Sequence, residues 1–348
     1  MIEFRRSHKI TLTDGRLLFA AISHVGNRLI LVGTYYFDRP IDYDSVLLRL
    51  LPIGVMPSSI ERHVRRDYDP CIVISATVGE SPIILEISYE DRTWTVAPRR
   101  EEEASSHWSL MTLFKDDYRL LPEFMSFYST LGVQRFYLYY NGPLSNVDWR
   151  FLETDEKVKN ANIVLVEWDV AYWWKLSAPT GHKTYDGQGF QHHAQTMAIN
   201  HHLHCVKGCS DYSFFVDLDE YVFTPRSLLE QCCQIGASVV FQCWWTAFED
   251  GAKRESYSLF RDDTVIRVLT NGAGNHSTKC LMKILDVDVM GIHVPYQHAA
   301  RKILFWDGFF HMREIQDHER ALFLMHSKRY TKAEFVREKC SMGALFLT

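Results

Sequence analysis

From Trp108 onward the chain alternates short apolar runs with helix-patterned stretches, and this alternation limits the folds open to it more than any other feature. SLMTLF (109–114) reads as a strand, YRLLPEFMSFYSTLG (118–132) has helical spacing closed by a glycine, and VQRFYLYYNG (133–142) is a strand ending in an Asn-Gly turn signal. ANIVLVEWDV (161–170) is a further strand, GFQHHAQTMAINHHLHCVKG (189–208) a helix closed by Gly208, and SFFVDLDEYVF (213–223) the strand that follows. A helix over 226–235, the strand ASVVFQCWW (237–245), strands in CLMKIL and VMGIHV, and a last helix, TKAEFVREKC (331–340), complete the pattern. Strands separated by helices predict right-handed βαβ units and an α/β fold with a mostly parallel sheet. Residues 9 to 96 differ: RLLFAAISHV, NRLILVGTYYF, CIVISATVG and PIILEISYE are strand-like runs between Gly, Asp and Pro. The polar, charge-mixed APRREEEASSH (97–107) reads as the linker. The expected division is a β-rich region over 1–100 and an α/β domain over 101–348.

Within this frame FFVDLDEYVF (214–223) is anomalous, because Asp217, Asp219 and Glu220 interrupt an otherwise apolar decapeptide. A buried carboxylate without a partner costs several kcal/mol, on the order of 3–5, so basic side chains, a helix N-terminus or a cation must neutralise these groups. In extended backbone Asp217 and Asp219 share one face. Ligands of an open α/β sheet collect beyond the carboxyl ends of its strands. Two carboxylates there suit Mg²⁺ or Mn²⁺, with a diphosphate completing the shell. An ion pair with Arg or Lys is the equal alternative.

The 348 residues are 47% hydrophobic and 23% charged, so a sizeable core is expected. A net charge of -5 argues against a nucleic-acid wrapping surface. No apolar run approaches the roughly 20 residues of a membrane span, and MIEFRRSHKITLTDG has no signal-peptide core. The expected compartment is therefore cytoplasmic, or the chain is a truncated secretory-pathway form. Eight cysteines include no C-x-x-C pair and read as free buried thiols. His182, His192, His193, His201, His202 and His204 lack metal-binding spacing and read as surface and groove-lining groups.

Four blocks in order resemble glycosyltransferase family 92 (DUF23-like) and related transferases of the GT-A fold: LLPEFMSFYSTLGVQRFYLYYNG (120–142), AQTMAINHHLHCVKGCSDYSFFVDLDEYVF (194–223), MGIHVPY (290–296) and HSKRYTKAEFVREKCSMG (326–343). The resemblance implies a metal-dependent inverting transferase that moves a hexose, galactose first, from a nucleoside diphosphate sugar such as a UDP-sugar to a glycan acceptor. It puts Asp217 and Asp219 on the metal, Mn²⁺ or Mg²⁺, with His326 completing the shell and His293 competing for that place. Glu220 is implied as an orienter of the pair, or as a helix-start charge. Gln195 and Asn200 match polar family positions in the donor pocket.

The chain also departs from the family. Lys115-Asp116-Asp117 stands where relatives read K-N-E, and Tyr140-Asn141 where they read Y-D-N, which leaves Lys115, Asp117 and Asn141 as altered donor-contact candidates. Glu249 and Asp250, beside Gly251, are the candidates for the acceptor base. The pairs Trp173-Trp174 and Trp244-Trp245 offer faces for sugar stacking or for core packing. Two rivals share these features. A haloacid-dehalogenase-like phosphatase uses a D-x-D strand end but needs Thr or Val where Tyr221 stands. The other rival is a non-catalytic carbohydrate-binding protein, in which the N-terminal strands form a carbohydrate-binding or protein-interaction module beside a degenerate transferase domain.

Overall fold

The structure is a computed structural model describing residues 2–52, 54–65, 70–79, 81–176, 182–183, 189–218, 220–222, 224, 226–248, 264–270, 278–292, 295–298, 303–311 and 335–341. The apolar runs after Trp108 form one large mixed sheet. Its parallel half places Ser106–Phe114 between Arg135–Tyr140 and Ser210–Phe215, with Asn162–Glu167 beyond Arg135–Tyr140. Thr278–Lys283 then adds antiparallel to Ser210–Phe215, and Ser238–Phe248 antiparallel to Thr278–Lys283. Ile303–His311 runs parallel to Ser238–Phe248, while Thr264–Thr270 pairs antiparallel on its other stretch.

Chain order explains where a ligand would gather. From Ser106–Phe114 the chain steps outward to Arg135–Tyr140 and Asn162–Glu167, then returns through the helix Ala194–Val206 to lay Ser210–Phe215 on the opposite side. Connections leave these two central strands in opposite directions. Their carboxyl ends, at Phe114 and Phe215, therefore flank the topological switch point.

The first crossover helix, Leu121–Leu131, starts with Pro122 in its first turn and ends at Gly132, whose φ of 107° only glycine adopts readily. Leu121, Phe124, Met125, Tyr128 and Leu131 recur at helical spacing and are buried against the sheet. The helix Ala194–Val206 is different: all thirteen of its residues are buried. One side meets the large sheet, and the other is covered by the N-terminal sheet of Ala21–Val25, Arg28–Gly33 and Cys71–Thr77. In that covering sheet Ile30, Val32 and Val73 face the helix, while Leu29, Leu31, Ile72 and Ile74 face a second core beneath Leu47–Leu51 and Ile84–Tyr89. The period of two in NRLILVG thus places both sets of side chains in a core.

Several expectations need correction. Ile2–Arg6 is not in the N-terminal layer but pairs parallel to Asn162–Glu167 at the edge of the large sheet. The expected linker is no free tether: Arg100–Glu101 pairs with Ala21–Val25, and the Glu103 side chain is wholly buried. Its carboxylate takes Arg5, Arg135 at 3.3 Å and the Tyr137 hydroxyl at 2.5 Å, so a charge-rich stretch has become an internal ion cluster. The expected helix at 189–193 begins instead as the strand Gly189–His192. Phe335–Ser341, expected as helix, is a strand antiparallel to Thr264–Thr270. SFFVDLDEYVF is not one strand: it breaks after Phe215 and resumes at Glu220–Val222.

Candidate active site

The break in the acidic segment creates the site. Ser210–Phe215 stops at the switch point, and the Glu220 N–H donates to the Asp217 carbonyl at 3.0 Å, closing a turn. The Glu220 carboxylate reaches back to accept the Asp217 N–H at 2.7 Å. The alternation that would set Asp217 and Asp219 on one strand face therefore does not apply to Asp217. Asp219 lies outside the described residues.

Asp217 is held by its side chain as well. Gln195, in the first turn of Ala194–Val206, donates its amide to Oδ1 at 2.9 Å and itself accepts the Tyr172 hydroxyl at 3.1 Å. Lys279 donates its ammonium to Oδ2 at 2.7 Å and lies 3.2 Å from the Glu220 carboxylate. Burial works to lower the Lys279 pKa, but the charges of Asp217 and Glu220 outweigh it and hold the ammonium above its ordinary range. Asp217 and Glu220 thus have a basic side chain as counter-charge. Lys279 escaped the sequence reading, which started that strand at Cys280. A lysine heading an apolar strand was the available signal, since such a charge needs a carboxylate.

Asp217 and Lys279 line a small recess together with Met111, Gln195, Ile199 and Phe215. The Asp217 side chain is 34% exposed and Glu220 only 2%. Asp217 is therefore the carboxylate a ligand can reach, and Glu220 works through it.

The other expected site residues divide clearly. Lys115 and Asp117 are exposed just past the Phe114 strand end, on the same edge of the sheet as Asp217. Asn141 stands at the neighbouring strand end, but its amide hydrogens go to the carbonyls of Trp168 at 2.8 Å and Val170 at 2.7 Å. It fastens strand ends together. Asn200 is wholly buried, donating to the Thr196 and Met290 carbonyls and accepting the Met290 N–H, each at 2.8 Å. It clamps the helix to Val287–Met290 and is not available to a donor, which corrects its expected place in the pocket. Glu249, Asp250, His326 and His293 lie outside the described residues.

The histidines are a second correction. His193, His201, His202 and His204 are core residues rather than surface groups. His201 bridges the Ser23 hydroxyl at 2.9 Å and the Tyr139 hydroxyl at 2.8 Å, joining the two sheets through the helix. Burial depresses its pKa to about 3, and that of His193 to about 4. Of the tryptophan pairs, Trp174 packs on Tyr36 and His193, while Trp173 is exposed beside Phe190 and His192. The Trp244 and Trp245 side chains are outside what the structure describes. Among the described residues no three His, Cys, Asp or Glu side chains cluster as a metal cage, and no helix is long and apolar enough to cross a membrane.

A parallel half-sheet with an accessible carboxylate at its switch point defines the class: an α/β protein built to bind a ligand beyond its strand ends. The family model of glycosyltransferase family 92 matches residues 109–340, from the first central strand through Phe335–Ser341. The chain belongs to that family, and is a glycosyltransferase acting on a sugar donor and a glycan acceptor. No curated protein matches it. Among solved structures it is similar to the crystal structure of HddC from Yersinia pseudotuberculosis, at 10% identity and a TM-score of 0.33, covering 64% of this chain and 100% of that one.

Proposed function

We propose that the chain is a metal-dependent, inverting glycosyltransferase of GT-A-like fold, which moves a hexose from a nucleoside diphosphate sugar, UDP-galactose first, to a hydroxyl of a glycan. The observation that carries this reading is the Asp217 carboxylate, reachable from the recess and held at the switch point. As a hard oxygen donor it suits Mn²⁺ or Mg²⁺, although the ammonium 2.7 Å from Oδ2 opposes a second cation on that oxygen. Asp217, Asp219 and His326 would hold the ion, which when bound supplies positive charge to the departing diphosphate.

In this reading the chain's own residues do the remaining work. Lys115 and Asp117, exposed on the site's edge of the sheet, contact the nucleoside. Gln195 keeps the Asp217 carboxylate turned to the recess. Glu249 or Asp250 takes the acceptor's proton as its oxygen attacks C1 in line. Assays across a nucleotide-sugar panel test the reading. Turnover of a UDP-hexose is expected with Mn²⁺, lost on chelation, and lost in Asp219→Asn with melting unchanged. Undiminished turnover in that variant removes the acidic pair from the mechanism. If Mn²⁺ brings no UDP binding at all, the chain is instead a carbohydrate-binding protein with a degenerate transferase domain.

A further inference from the structure

All four polar groups of Asp217 are engaged. Its N–H goes to the Glu220 carboxylate, its carbonyl to the Glu220 N–H, Oδ1 to Gln195 and Oδ2 to Lys279. Three of these partners come from the turn itself or the returning helix. Lys279 comes from elsewhere, on Thr278–Lys283, 62 positions along the chain. Antiparallel pairing sets Phe215 opposite Cys280, so the residue before Cys280 falls beside the strand end where the turn begins. On its other side Lys279 pairs with Phe241 in the middle of the sheet. Its ammonium is 2% exposed and spans Asp217 and Glu220. Lys279 borders the recess, but its ammonium is engaged by the two carboxylates. Its reach is limited to the two carboxylates, and one of those is the group the recess exposes.

We propose that Lys279 is a positioning residue. It draws the Asp217 carboxylate against Gln195 and holds the acidic turn in its ligand-ready shape before any donor or ion arrives. Without it, Asp217 Oδ2 loses the ammonium that fixes the carboxylate's rotation. The Asp217 side chain would then swing outward, away from the Gln195 amide. This inference rests on reading the acidic turn as the donor site.

The informative variant is the double exchange Lys279→Met with Glu220→Gln. It removes one positive and one negative charge together, and the new amide oxygen can still accept the Asp217 N–H. Melting near that of the wild type, kcat down about 100-fold, as a misplaced reacting group costs, and a raised donor KM are expected. A crystal structure of the variant should show the Asp217 carboxylate turned away from Gln195. Wild-type kcat, or a carboxylate that has not moved, overturns the proposal. A purely structural lysine would instead lower melting and leave kcat alone, which also overturns it. Should the wild type turn over no nucleotide sugar, the donor-site reading fails. The crystallographic position of Asp217 in the variant still decides the role of Lys279.

Discussion

Gln195 and Asn200 are polar residues of the same helix with opposite employment. Gln195 lies between Tyr172 and Asp217, with its amide directed to the site. Asn200 has its oxygen and amide consumed by the backbone of Thr196 and Met290. The two therefore have different expected phenotypes. Asn200→Ala leaves the Met290 N–H and carbonyl unpaired in the interior, and each such orphan costs about 1–3 kcal/mol. A loss of about 3 kcal/mol in urea unfolding is expected, with donor KM unchanged. Gln195→Leu removes one hand from Asp217 and should lower kcat with little effect on unfolding. If Asn200→Ala raised donor KM without loss of stability, the clamp assignment would be wrong and the residue would belong to the pocket after all.

At the scale of the element, the helix Ala194–Val206 makes the fold sensitive to acid. His201, His202 and His204 lie within it and His193 precedes it, and burial lowers the pKa of each below the ordinary 6.5. The unfolded chain protonates them below about pH 6.5, whereas the folded chain does so only much lower. Their contribution to stability is complete above that pH and is lost as pH falls. At pH 5.5 each costs about 1.4 kcal/mol relative to neutral pH. Glu101 acts with the opposite sign: burial raises its carboxyl to about 7, so its penalty eases as the medium turns acid. One carboxyl recovers about 1.5 kcal/mol over the same interval, leaving a net loss of about 4 kcal/mol. The urea midpoint should therefore fall clearly between pH 7.5 and 5.5, and equal midpoints would contradict the burial of these imidazoles. Sequence periodicity could find this helix because Ala, Leu, Met and Gln favour it. It could not show that both sides were covered, since the histidines made one side look polar. The same limit explains the other misreadings. The strand at Phe335–Ser341 depends on Thr264–Thr270, a partner remote in sequence. The turn at Asp217 depends on a lysine 62 positions away. The central parallel strands were legible because LMTLF, FYLYY and IVLV are buried on both faces and need no distant partner to reveal them.

For the molecule as a whole, the N-terminal region acts as a wall of the transferase half rather than as a separate module. Ala21, Ile30, Val32 and Val73 share one continuous core with Met197, Leu203, Tyr139 and Phe215. Polar ties cross the same boundary. Ser23 bonds His201, Arg28 donates to the Lys207 carbonyl at 2.6 Å and to that of Cys205 at 3.3 Å, and the Gln191 amide donates to the Tyr35 carbonyl at 2.9 Å. Arg28 thus satisfies carbonyls that the end of the helix leaves without partners. Arg5 binds Glu103 from the strand that edges the large sheet. A chain starting at residue 105 would expose the covered side of Ala194–Val206, strip His201 of its serine, and remove the Ile2–Arg6 edge strand and Glu103, leaving Arg135 and Tyr137 without their carboxylate. A helix uncovered on that side has lost the burial that stabilises it. The fragment 105–348 should therefore aggregate or run expanded on size exclusion, without cooperative melting. Because this helix presents Gln195 to Asp217, such a fragment should also fail to bind a nucleotide sugar even where some of it stays in solution. A monodisperse fragment melting like the whole chain would show that the N-terminal sheet only rests on the domain, and the carbohydrate-binding role weighed for it from sequence would regain its place.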